Sequence, residues 1–146
     1  MRCHDWTSII AATAVAATVA ACAPPSPQEP DLIPERRSGS VGAEGFCRRD
    51  DAGNLVVRVR NQTNNDVLMQ TVTEVTFPPG QPVAQPTPPM PGGGFADVAF
   101  AIPPGCFNPD CGFTIEVDAD DQVDESHGDQ PDNHETNNVA DGICIG

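Results

Sequence analysis

The chain has 146 residues, enough for one domain with one core and little beyond it. It carries 21 Asp and Glu, seven Arg, no Lys and no Tyr, for a formal charge of −14. A surface of that sign repels phosphate backbones, which argues against nucleic-acid binding, and it offers anionic headgroups no basic patch.

Residues 9–21 form an unbroken apolar run without charge, Pro or Gly. The run is shorter than the ~20 apolar residues of a membrane-spanning helix. It has the length of the apolar region of a secretory signal and follows Arg2. Small Ala and Thr side chains on all sides leave no amphipathic stripe for a core helix. Residues 1–21 therefore read as a signal peptide. The run closes on Val19, Ala20, Ala21 and Cys22, which resembles a bacterial lipoprotein box. The resemblance implies acylation of Cys22 and a membrane contact made through lipid. With Ala23 and not Asp next, it implies the bacterial cell envelope, at the outer membrane or the cell surface.

Residues 22–45 are rich in Pro, Ser, Gly and charge, and read as a flexible tether. At ~3 Å per residue it would hold a domain several tens of Å from the membrane. The folded domain is then expected over residues 46–146. Its signals are those of strands, with a period of two and no 3.6-residue stripe. Residues 55–60 (LVVRVR) follow a turn at 51–54 and precede a polar run at 61–66. In 71–77, Thr73, Val75 and Phe77 can share one face. A short strand is expected near 83–85, inside a stretch (78–94) with seven Pro and four Gly that reads as an irregular edge. Ala96, Val98, Phe100 and Ile102 alternate with more polar residues, as do Phe113, Ile115 and Val117, and a last strand falls near 138–145. About seven short strands in a hundred residues point to an all-β, immunoglobulin-like β-sandwich.

The order of these features resembles the CARDB family, the cell-adhesion-related domain found in bacteria. The residues that carry the resemblance are 55–61 (LVVRVRN) with the polar turn after them, 73–77 (TEVTF), the Gly-led strand at 94–100, and above all 113–126 (FTIEVDADDQVDES), closed by 135–139 (ETNNV). A strand that ends in D-x-D-x-x-V-x-E-S and is followed by E-x-N-N is the specific part. Unlike the family pattern, this chain inserts residues 127–134 between the two. The resemblance implies an immunoglobulin-like sandwich on a bacterial exterior with a binding or adhesion role, and names no ligand.

Of six Cys, Cys3 leaves with the signal and Cys22 takes lipid. Cys47, Cys106, Cys111 and Cys144 remain, an even number in an oxidising compartment. Four Cys allow three connectivities. In immunoglobulin-like sandwiches the terminal strands lie close together, which favours Cys47–Cys144, and a Pro-containing turn favours Cys106–Cys111. Without Lys no Lys–Asn crosslink can form, so covalent reinforcement must be disulfide.

Ten carboxylates lie between Glu116 and Asp141. Asp118, Asp120, Asp121 and Glu125 are the candidate ligands for Ca²⁺, a hard cation that takes six to eight oxygens. The competing reading is structural, with Asp118 and Asp120 in Asx-type turns and Asn137 and Asn138 satisfying loop backbone. His127 and His134 match no zinc spacing. Ser126 beside His127 makes no nucleophile–base pair. No cofactor is required. The sequence thus reads as a non-catalytic, surface-anchored binding or adhesion module with an unknown extracellular or envelope protein partner. The alternatives are a Ca²⁺-binding surface protein and a disulfide-stapled accessory or inhibitor domain for an extracellular enzyme.

Overall fold

A computed structural model of the protein describes residues 29–37, 45–125 and 134–146; side chains of the last stretch are described from Thr136. The signal segment, Cys22, His127 and the His134 side chain lie outside the described residues.

Among the described residues seven strands form two antiparallel sheets, as expected for a β-sandwich. Strands β1 (Leu32–Pro34), β2 (Leu55–Asn61) and β5 (Phe95–Phe100) make the three-stranded sheet, in the order β1-β2-β5. Strands β4 (Pro82–Thr87), β3 (Thr71–Thr76), β6 (Cys111–Glu116) and β7 (Val139–Cys144) make the four-stranded sheet, in that order. The period of two read from the sequence sorts the two faces. In β2, Leu55, Val57 and Val59 point inward, and Arg58 and Arg60 outward. In β3, Thr73 and Val75 are fully buried, while Glu74 stands outside opposite Glu116. Leu55, Val57, Val59, Val98 and Phe100 from one sheet meet Val75, Phe113, Ile115 and Val117 near the other in one core. Each such side chain contributes about 1.5–3 kcal/mol on burial.

The Pro-rich stretch yields an edge strand. Pro82 and Pro86 both lie in β4, which pairs with β3 alone within the sheet. Proline is tolerated there because an edge needs no donor on its open side.

The structured chain begins earlier than the boundary expected at residue 46. β1 pairs antiparallel with β2, Leu32 opposite Asn61 and Pro34 opposite Val59. Leu32 is 0% exposed. Residues 29–37 therefore belong to the domain. The domain thus takes in part of the stretch expected to be tether. A three-residue strand that ends in Pro gives no periodic signal, so the sequence conceals it.

Among the described residues two disulfides form, Cys47–Cys144 with Cα atoms 5.1 Å apart and Cys106–Cys111 at 4.9 Å. The pairing is that of the strand-order argument, although Cys47 lies in the loop ahead of β2 and not in a first strand.

Candidate functional site

The acidic motif is used for folding. Asp118 is buried with φ of 53°, a left-handed conformation that Asp tolerates. Its carboxylate accepts hydrogen bonds from the backbone N–H groups of Gln122 (3.3 Å) and Val123 (2.9 Å). This is an Asx-type closure that turns Val123 into the core. The Asp120 carboxylate accepts from Val72 N–H at 3.0 Å, and Ala119 N–H donates to Val72 C=O at 2.9 Å, which clamps the loop onto β3. Glu125 is 0% exposed and accepts from Leu32 N–H at 2.7 Å. Asp121, φ 51°, is exposed. The Asn pair serves the same loop: Val117 N–H donates to the Asn138 carbonyl, and the Asn137 amide reaches Asp31 at 3.2 Å. Three of the four candidate Ca²⁺ ligands thus accept backbone hydrogen bonds at separate places, and Asp121 faces solvent. Among the described residues no group of three Asp, Glu, His or Cys could hold a metal. This arrangement matches the structural reading of the motif.

The cations gather elsewhere. Arg58 grips Asp97 on the outer face of the three-stranded sheet through two bonds, of 2.7 and 2.8 Å. Arg48 adds a third at 3.0 Å, and Arg60 pairs with Glu35 at 3.3 Å. The hydrogen bonds from Arg58 hold the Asp97 carboxyl down at about 2 from its usual 3.8, and Arg48 adds to the effect. The Arg58 guanidinium lies 3.6 Å from the ring centroid of Phe95, a half-exposed residue two positions before Asp97 on the same strand.

One end of the sandwich presents apolar surface. Here the β2–β3 loop (62–70), the β4–β5 loop (88–94) and the start of the β6–β7 loop meet. Leu68, at the tip of the β2–β3 loop, is 82% exposed, and Met69 is 49% exposed. The loop is braced. Val67 and Met90 exchange both backbone hydrogen bonds, at 2.9 and 3.0 Å, and Gly93 N–H donates to Thr63 C=O. The Asn61 amide donates to Asn65 C=O at 2.6 Å, and Gly92 N–H donates to the Asp66 carboxylate at 2.9 Å. A Cβ at Gly92 would lie 2.2 Å from the Asn64 backbone, so no side chain fits there. Leu68 therefore stands on a fixed support between two shallow grooves. One, of about 220 Å³, runs between Leu68, Met69, Pro30 and Val123; the other, of about 250 Å³, between Leu68, Pro89 and Pro91. Asp66 and Asp124 line their rims, and no Arg lines either.

Sequence reasoning missed this pole. Leu68 and Met69 sit between a polar run and a strand, where an apolar pair reads as a strand lead-in. The opposite end carries the Cys106–Cys111 turn, with Asn108, Pro109 and Asp110 exposed and Phe107 under the Arg49 guanidinium. A groove of about 290 Å³ between Phe77, Pro79, Pro103 and Cys106 lies beside it.

No family model matches the chain. No curated protein matches it either. Among solved structures the fold is similar to a domain of a protein from Methanosarcina acetivorans, determined in solution by NMR and described as that of a cell surface protein. The TM-score is 0.56 at 17% identity, over 80% of this chain and 91% of that one. At that identity the likeness concerns the sandwich fold.

Proposed function

We propose that the chain is a lipid-anchored binding module of the bacterial cell envelope that works by docking a partner on its loop pole and performs no catalysis. The observation that carries the reading is Leu68, 82% exposed on a loop braced from both sides. A bulky apolar side chain held in water on a rigid support, with grooves beside it, has the character of an interface anchor. The lipoprotein-like box at Cys22, the resemblance to the CARDB adhesion domains, and a fold neighbour described as a cell surface protein support the same reading.

Anchoring at Cys22 has a geometric consequence. Pro30 lines the groove beside Leu68, so the chain joins the domain at the loop pole. The residues from Cys22 to Pro30, fully extended, span at most ~30 Å. The loop pole is then the membrane-proximal end, and the Cys106–Cys111 turn the distal one. That favours a partner resident in the same envelope. The second reading, an accessory or inhibitor domain for an extracellular enzyme, has in its favour the exposed residues 108–110 at the distal tip.

Two measurements test the proposal. Intact mass of the membrane-derived protein should show an acylated Cys22, and an unmodified thiol refutes the anchor. Immobilised mature chain should retain an envelope protein that its Leu68→Asp variant loses and an Asn108→Asp variant keeps. Equal retention by wild type and Leu68→Asp refutes the loop pole, and loss by Asn108→Asp alone moves the function to the distal tip.

A further inference from the structure

The two outer faces of the sandwich carry opposite charge. On the three-stranded sheet, four guanidinium groups share two carboxylates. Arg37, Arg48 and Arg58 all reach Asp97, and Arg60 reaches Glu35. Arg48 and Arg60 are the most exposed of the four. The half-exposed Phe95 is the register partner of Arg60. On the four-stranded sheet, β3, β6 and β7 turn Glu74, Glu116 and Asp141 outward, and no basic residue follows Arg60 in the chain. Glu74 and Glu116 stand opposite each other in register, and like charges in that relation disfavour a sheet. Among the described residues no ion pair reaches either of them. On the far side of Glu116 its register partner is the half-exposed Val139.

We propose that the acidic face of one copy docks the basic face of a second copy, so that the chain stacks on itself sheet to sheet. A second copy answers both faces at once. It brings guanidinium groups to a sheet that has none, and carboxylates to a face where Asp97 and Glu35 are outnumbered. Arg60 of one copy meets the Glu74–Glu116 pair of the next. Strand spacing, about 4.8 Å in any sheet, then sets Phe95 beside Arg60 against Val139 beside Glu116. The two faces point away from each other, so the contact is heterologous and adds copies in a line where an isologous one would stop at a dimer. The line runs across the sandwich and leaves the loop pole and the Cys106–Cys111 turn uncovered. The formal charge of −14 opposes association at long range. Salt at ~0.1 M screens that repulsion beyond about 10 Å, and the facing groups meet inside this distance. Exposed ion pairs are individually weak, so self-association is expected at about 0.1–1 mM.

The test is sedimentation equilibrium of the mature chain with Cys22→Ser, up to ~1 mM in ~0.1 M NaCl. The mean mass should rise past that of a dimer with concentration and return to the monomer in ~0.5 M NaCl. Two variants each remove one face, Arg48→Gln/Arg60→Gln the basic one and Glu74→Gln/Glu116→Gln the acidic one. Both change exposed groups and should keep the melting curve of the wild type. Each alone should stay monomeric. Mixed in equal amounts they should form a dimer and nothing larger, since one intact basic face then meets one intact acidic face. A wild type that is monomeric at ~1 mM overturns the proposal. If that monomer binds a polyglutamate peptide, the basic face belongs to another acidic ligand. A wild type that stops at a dimer, a variant that dimerises alone, a mixture that stays monomeric, or association that survives ~0.5 M NaCl overturns it as well.

Discussion

Cys111 and Cys144 face each other as register partners across β6 and β7, yet each is bonded outside that pair, Cys111 to Cys106 and Cys144 to Cys47. Both are buried on the core face of the sheet. Two bridges therefore converge on one end of the four-stranded sheet, away from the loop pole. One ties the loop ahead of β2 to the last strand; the other fastens the turn ahead of β6.

The two bridges should differ in weight. Cys47–Cys144 spans 97 residues of sequence and Cys106–Cys111 spans five. Chain entropy assigns about 4–5 kcal/mol to the first and about 2 kcal/mol to the second. Denaturant unfolding of the Cys47→Ala/Cys144→Ala and Cys106→Ala/Cys111→Ala double variants should show that order. Non-reducing peptide mapping should join the same pairs, and a peptide linking Cys111 to Cys144 would contradict them.

Leu32 and Glu125 lock the start of the domain to the acidic loop, 93 residues apart in sequence. Leu32→Ala should cost about 2–5 kcal/mol, as for other fully buried Leu positions. Glu125→Ala leaves the Leu32 N–H without this acceptor and should cost at least about 1–3 kcal/mol. A stability unchanged by both would return residues 29–37 to the tether.

Asp97 sets an acid limit. Its pKa is lowered to about 2 in the folded protein, first by the Arg58 hydrogen bonds, against 3.8 for the unperturbed group. A depressed folded pKa contributes stability that is fully present above about 4 and is lost as pH falls through about 2. With solvent screening allowed for, the contribution is about 1 kcal/mol. Asp97→Asn should remove that part of the dependence between pH 4 and 2, seen in urea unfolding at each pH. An unaltered slope in the variant would show that Asp97 does not carry it.

Calcium should leave the fold unmoved. Asp118, Asp120 and Glu125 already accept backbone hydrogen bonds. A cation that bound only the native state would raise the melting temperature. Equal melting temperatures in Ca²⁺ and in chelator are expected, and a rise of several degrees in Ca²⁺ would restore the calcium reading.

The sequence by itself determined the strand periodicity of the sandwich, the acidic balance and the cysteine inventory. These are local or compositional properties, since the period of two in residues 55–60 or 113–117 records which face is buried regardless of what buries it. It also exposed D-x-D-x-x-V-x-E as a unit without saying what the carboxylates do. Tertiary structure decided that for Asp120 and Glu125, because their partners, the N–H groups of Val72 and Leu32, lie 48 and 93 residues away, whereas Asp118 closes a local turn. Tertiary structure also made Leu32 core and Leu68 surface. The two leucines have similar local settings, each with an acidic residue nearby and a short extended segment beside it. One is covered because Glu125 and Asn61 draw its strand into the sheet. The other is left in water because Val67 and Met90 pair their backbones and take the core positions, leaving Leu68 beyond them. Burial is a property of what packs against a residue, and for these two positions that is fixed by contacts distant in sequence.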